Sequence, residues 1–482
     1  MQRTRLCASP TLSRQRGRCA AAAQAGGSAP APADGAAPGA LTWRAALDFK
    51  AVRDNLAAAK ANCEARLVTN VDPAAVVALY EAFTALKGRT DAVREARNAA
   101  ASAMKSPQTP ESRADLVAKG KALKGQLAEL EAELDAAEVA LQREGQRLPN
   151  STHPEVPRGG EENAKLLRLV GSPPAFPFPA RDHVALGDAL GLFDFDAGAK
   201  AAGTRFVYLK GAAALLELAL VQWAMSRAVA AGFTPYTTPD LVRGTAVEKC
   251  GFQPRAANTQ VYSVEDSELC LTGTAEIPLG AIYSDSVLPV SALPLRMAGF
   301  GHCFRTEAGA AGAATRGLYR LHQFSKVELF VLSTPEQSDA VHDQLLEFES
   351  SLYAELGLHF QILDMAAGDL GAPAYRKFDV EAWMPGMGRF GEISSASNCT
   401  DYQARRLNIR YRPAGTAAEP KPGLRFVHTL NATACAVPRM IISILETHQR
   451  EDGSVAIPAP LQPFMGGMTV IRPADAVKAA TE

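Results

Sequence analysis

Two runs of mostly apolar positions at alternating spacings of three and four constrain this chain more than any other feature. The first passes through Val76, Leu79, Phe83, Leu86, Thr90, Val93, Arg97, Ala100 and Met104. The second passes through Leu116, Gly120, Leu123, Leu127, Leu130, Leu134, Ala137, Leu141, Glu144 and Leu148. Such spacing lays one stripe along a helix, and a narrow stripe is buried only against a matching stripe. The break between the runs is short, SPQTP (106–110), so the helices must turn back on each other as an antiparallel coiled-coil hairpin. At about 1.5 Å per residue, each reaches roughly 45–55 Å. This is a long arm.

Its charge is unevenly placed. From Lys87 to Lys124 there are nine basic residues against four acidic ones, whereas Glu129 to Glu144 holds six acidic residues and only Arg143. A basic tip on an acidic base suits a polyanion that meets the tip. Net charge over the whole chain is −1, but residues 1–33 carry five arginines and no acid, so the rest stands at −6. Nucleic-acid contact must therefore come from local patches. That leader, rich in Arg, then in Ala, Gly and Pro, has the composition of an organellar transit peptide spanning residues 1–40, addressed to mitochondrion, chloroplast or both. The eight cysteines form no C-x-x-C pair, which argues against a disulfide scaffold or structural zinc and fits reduced thiols in a matrix or stroma. The longest mostly apolar stretch, Ala212–Met225, is interrupted by Glu217 and is too short to span a bilayer.

After the arm (41–150) comes a Pro- and Gly-rich linker (151–180), then a body (181–482) in which helical stretches alternate with β-rich runs such as LFVL, FQIL and VEAWM. This is an α+β pattern. No GxxxxGK[ST] loop is present, and GFGHCF (299–304) lacks the third glycine of a dinucleotide fingerprint. A bound nucleotide would need some other cradle for its phosphates. The densest candidate is FRTEAGAAGAATRGLYRLHQFSKVELF (304–330): Arg305, Arg316 and Arg320 beside Glu307 and Glu328, in two strand-like runs around a small-residue loop. Arginine forks suit phosphate oxygens, and Phe324 can stack a base.

As a whole string, that segment resembles motif 2 of the seryl-tRNA synthetases, where F-R-x-E opens a hairpin and T-R-G-L-x-R-x-H-Q-F-x-K-V-E closes it. Three further segments match in order. Pro239, in FTPYTTPDLV, resembles the motif 1 proline of the dimer interface, and LTGTAEIPLG (271–280) resembles the family's serine-binding loop. GEISSASNCTDYQARRLNIRYR (391–412) and TLNATACAVPRMIISILETHQREDG (429–453) resemble its ATP and metal segment and motif 3. The resemblance implies an antiparallel class II synthetase β-sheet with helices behind a coiled-coil tRNA-binding arm, assembled as a homodimer. It implies the activation of L-serine with ATP and transfer to tRNA(Ser), or to tRNA(Sec) where a compartment has it.

The same resemblance distributes roles. Arg305 would bind the α-phosphate, Glu307 the adenine amino group and Phe324 the adenine face, with Thr306, Leu321, Ile393 and Ser394 alongside. Arg320 and Arg439 would hold the outer phosphates, and Glu392 and Ser395 would ligate Mg²⁺, so that Arg305, Arg439 and Glu392 carry the catalysis. Thr274, Ala275, Glu276, Glu328, Asn431 and Thr433, with Arg305, would form the serine pocket. Arg94, Arg97, Lys119 and Lys121 are the candidate tRNA contacts on the arm. His322 and His428 read as packing or hydrogen-bonding residues, and cysteines 303, 399 and 435 as small buried hydrophobes. Three positions depart from the family pattern: Ala313 and Ala314 replace a basic–acidic pair, Thr433 stands where Ser is common, and Pro438 stands where Gly is frequent.

Overall fold

The computed structural model describes residues 42–106, 109–254, 259–307, 316–415 and 419–473. The leader expected over 1–40 and the loop-tip residues Ala313 and Ala314 lie outside them.

A short helix, α1 (Leu56–Ala65), leads into the arm helices α2 (Pro73–Ala103) and α3 (Pro110–Gly145). Both arm helices start where chemistry dictates. Asp72 accepts from the Ala74 N–H and Thr109 from the Ser112 N–H, each followed by a proline whose missing N–H costs nothing at a first helical position. The antiparallel register shows in two places: Arg94 pairs with Glu131 at 2.9 Å, and nearer the body Phe49 reaches both Tyr80 and Gly145. Thr90, Ala100, Leu127, Leu130 and Leu141 are buried in the seam. The expected first stripe fails at its far end. Arg97 is exposed and Met104 is 43% exposed, while Ala96 and Ala103 turn partly inward. After Val93 the seam steps three residues to Ala96 and not four to Arg97, so Ala96 and Ala103 fall one residue earlier than the expected Arg97 and Met104.

The segment expected as a plain linker does more than connect. Its Lys165–Val170 forms strand β1, an edge of the largest described sheet. The other strands are β2 (Thr234–Thr237), β3 (Leu295–Phe304), β4 (Gln323–Ser333), β5 (Phe360–Asp364), β6 (Arg376–Met384), β7 (Arg389–Asn398) and β8 (His428–Ala436). Their spatial order is β1-β5-β6-β7-β8-β4-β3-β2, antiparallel throughout except β2 with β3. GFGHCF thus lies within β3 and is no phosphate-binding turn.

Three helices cover one face: α4 (Ala212–Ala230), α5 (Ser338–Glu355) and α6 (Val437–Thr447). Alternation along β4 separates the two faces. Val327, Leu329 and Val331 join the core beneath the helices, leaving Phe324, Lys326 and Glu328 on the opposite face. Pro438 sits in the first turn of α6, where proline is tolerated. By length and composition α4 could cross a membrane, but Leu216, Leu220 and Trp223 are buried to within 1% in the core, which a core helix also satisfies.

Candidate active site

The open face of the sheet carries two adjoining chambers. One is lined by Glu307, Tyr319, Leu321, Phe324, Ile393, Ser394, Thr433 and Arg439, with the main motif 2 and motif 3 residues among them. The other is lined by Thr274, Glu276, Glu328, Cys399 and Asn431 and by a wall at Gly371–Ala374. Arg305, Glu307, Arg320, Lys326 and Ser395 belong to both. The chambers meet at Arg305.

Local geometry aims that guanidinium. Arg305 leaves β3 with its N–H on the His322 carbonyl at 2.9 Å, and His322 Nδ1 lies 2.8 Å from the Arg305 carbonyl. Its Nε donates to Gly273 O at 3.3 Å, and its head lies 5.3 Å from the centre of the Phe324 ring. Arg320 donates to Glu307 at 2.8 Å. Arg439 donates to the Glu392 carboxylate at 3.0 Å and to its carbonyl at 2.9 Å, with Tyr319 beneath it at 4.6 Å. Desolvation would raise the Glu392 carboxyl, but Arg439 and then Lys377 outweigh it and hold it below the ordinary range.

Glu392 and Ser395 are three residues apart, and on a regular strand an odd separation would put them on opposite faces. The register resolves this. Ser395 and Ser394 pair with Asp379 and Val380, but Glu392 pairs with Glu381, so Ile393 is an extra residue. This bulge resets the alternation and turns both oxygens into the cleft, while the Ser394 hydroxyl points behind the sheet to Glu349 at 2.7 Å. A second bulge at Ala434 follows Thr433 on β8.

The second chamber is lined with buried carboxylates. Glu276 is 7% exposed and accepts from Gln403 at 2.5 Å and from Asn431 at 3.1 Å. Burial, then the neighbouring Glu328, pushes it up to about 7. Glu328 is raised by burial against the pull of Lys326, with which it is paired. Gly299, opposite Glu328 on β3, leaves room for the loop that carries Thr274 to Glu276: a Cβ there would lie 3.3 Å from that of Ala275. Two expected residues do not line either chamber. Ala275 is buried in the loop, and the Thr306 hydroxyl turns away to the Thr259 carbonyl at 2.5 Å.

Comparison with known proteins decides the family. A family model described as the seryl-tRNA synthetase N-terminal domain matches residues 46–152, and one described as the tRNA synthetase class II core domain (G, H, P, S and T) matches 260–448. The serine–tRNA ligase of Rubrobacter xylanophilus is 47% identical over 89% of this chain and 99% of its own length. The chain belongs to the seryl-tRNA synthetases. It is a serine–tRNA ligase. The ligase of Treponema denticola is 45% identical over 87% of this chain and 99% of its own. Among solved structures, seryl-tRNA synthetase from Pyrococcus horikoshii complexed with ATP superimposes with a TM-score of 0.82 at 37% identity, over 89% of this chain and all of that one. The cytoplasmic enzyme of Naegleria fowleri in complex with AMP gives 0.78 at 28%, over 89% of this chain and 99% of its own.

Within this synthetase, sequence reasoning missed Lys326 and Tyr319. A signal for Lys326 was available: it shares the Phe324–Glu328 face of a period-two strand. Tyr319 gave none, because it lies in an irregular turn and its role as a platform for Arg439, and for Arg389 at 4.8 Å, depends on β7 and α6.

Proposed function

We propose that the two chambers divide the first half-reaction, ATP occupying the one around Phe324 and serine the one around Glu276. The observation that carries this reading is their meeting at Arg305. There a serine carboxylate oxygen would attack the α-phosphorus while the bond to pyrophosphate breaks. In the second half-reaction a hydroxyl of the terminal tRNA ribose attacks the seryl carbonyl carbon and AMP leaves. Glu307 and Phe324 would hold adenine, Arg439 and Arg320 the outer phosphates, and Asn431 and Glu328 the serine, while Thr433, expected in the serine pocket, lines the chamber around Phe324 instead. Arg320 would first exchange its bond to Glu307. No protein nucleophile is required, since positioning and charge neutralisation suffice.

The donor set suits Mg²⁺. Glu392 and Ser395 offer hard oxygens on one cleft, and cross-strand Asp379 has an Oδ1 buried without a partner among the described residues. When bound, the ion would neutralise phosphate charge. The outward side of α4 supports a homodimer: Leu215, Leu218 and Val229 are 45%, 60% and 49% exposed, an apolar face suited to a second copy and measurable as a doubled mass in sedimentation. The leader's composition supports delivery to mitochondria, chloroplasts or both. A fusion of residues 1–45 to a reporter should enter one of them, and a diffuse cytosolic signal would remove that reading. Both tRNA(Ser) and, where present, tRNA(Sec) are acceptors under this reading.

Pyrophosphate exchange across the standard amino acids tests the serine chamber. Serine should support it, with alanine and threonine at least about a hundredfold poorer in kcat/KM, because alanine leaves buried polar groups unpaired and threonine is too bulky. Ionised Glu276 would add a full charge to the hydrogen bond it offers the substrate ammonium, which the protonated acid, though still an acceptor, lacks. Since its carboxyl is pushed up to about 7 in the empty enzyme, kcat/KM for serine should rise about tenfold per pH unit below that point and level off above it. Exchange driven by another amino acid would overturn the assignment.

A further inference from the structure

The wall of the amino-acid chamber is held from behind by two residues outside the catalytic body. Five consecutive backbone carbonyls, from Leu370 to Ala374, accept hydrogen bonds from them. Arg66, the residue that closes α1, donates from Nη2 to Leu370 O at 3.3 Å and Gly371 O at 2.6 Å, and from Nη1 to Ala374 O at 2.8 Å. Asn150, just beyond the arm, donates its backbone N–H to Ala372 O at 2.9 Å and its Nδ2 to Pro373 O at 2.8 Å. The same Nδ2 reaches Cys399 O at 2.9 Å, and Cys399 also lines the chamber. Arg66 Nη1 in turn donates to Asn150 O at 3.2 Å, so the two holders are tied to each other.

Space filling does not explain this arrangement. Arg66 is 3% exposed, and the partners described for it are carbonyls and the Thr152 hydroxyl, with no carboxylate. Burying a guanidinium without a counter-charge is costly, and an apolar side chain of the same volume would fill the site at less expense. What the arginine supplies is a planar fork of several donors that grips a turn at separate points, which a lysine cannot reproduce.

We infer that Arg66 and Asn150 are positioning residues for the amino-acid substrate: drawing the carbonyls of 370–374 backwards, they set the wall against which serine is held. The N-terminal region would then complete the active site as well as carry the arm. This rests on the assignment of that chamber to serine.

The experiment uses the full chain and compares KM for serine with KM for ATP in pyrophosphate exchange. Arg66→Lys keeps charge but loses the fork, and Asn150→Asp keeps shape but loses the Nδ2 donor. In both, KM for serine should rise at least about tenfold while KM for ATP stays within about twofold, because no residue of 370–374 lines the ATP chamber. Thermal melting establishes that each variant is folded, and should Arg66→Lys not fold, Asn150→Asp decides alone. A folded variant with an unchanged serine KM, or with both KM values raised equally, would overturn the inference. Unmodified protein that shows no serine-dependent exchange would instead remove the chamber assignment beneath it.

Discussion

Arg305→Ala should slow adenylate formation about 10²–10³-fold, roughly 2.7–4 kcal/mol of barrier, with serine still bound. Under the proposed division of the chambers, attack on the α-phosphorus would gather negative charge between them, and Arg305 is the guanidinium that lines both without a carboxylate among its described hydrogen bonds. The other two arginines of the cleft are differently placed, Arg320 on Glu307 and Arg439 on Glu392. Arg305 is already aimed before substrate arrives, by the Gly273 carbonyl and the Phe324 ring, so little reorganisation accompanies the reaction. Removing it deletes a preorganised charge whose worth is greatest when the phosphorane charge has formed, which lowers kcat more than it raises KM. Arg305→Lys keeps a point charge but not the fork and should lose less. Single-turnover adenylate formation and serine titration measure the two quantities separately. Activity within a few-fold of the unmodified enzyme would move the α-phosphate role to Arg320 or Arg439.

How far the sequence could be read differs by the kind of information each feature needs. The arm was legible because its stripe is local and repeats over many turns; it failed at Arg97 and Met104, where the seam takes a step of three in place of four. The motif residues were legible through resemblance, and most of them do converge on one cleft. What stayed hidden depends on pairing between distant strands. Glu392 and Ser395 share a face because of a bulge opposite Val380 and Glu381, and nothing in the string EISS announces an extra residue. The edge strand Lys165–Val170 sat inside a Pro- and Gly-rich stretch that read as linker, because its partner is Phe360–Asp364, far along the chain. Arg66 and Asn150 were passed over for the same reason: their partners lie more than two hundred residues away.

Replacing Arg97, Lys119 and Lys121 together with Ala should weaken tRNA binding by roughly a hundredfold at physiological salt if each neutralises one phosphate, since each released counterion contributes a slope of about 0.7–0.9 in log K against log salt. All three are exposed. Lys119 precedes Gly145, where α3 returns to the body, by about 26 residues of helix, roughly 40 Å. No described residue of the arm tip lines either chamber, so pyrophosphate exchange should be unchanged, while aminoacylation falls through a raised KM for tRNA. Arg94 is left out of the set because it bonds Asp91 at 3.0 Å and Glu131 at 2.9 Å; its loss would loosen the hairpin and blur a charge effect with a structural one. Leu127→Ala serves as the contrasting control, since it opens a cavity in the seam and should lower the melting temperature while leaving the salt slope of residual binding unaltered. The triple variant should flatten that slope by about 2–3. Normal charging by the triple variant would make the tip a solvated turn and leave the long arm without its polyanionic partner.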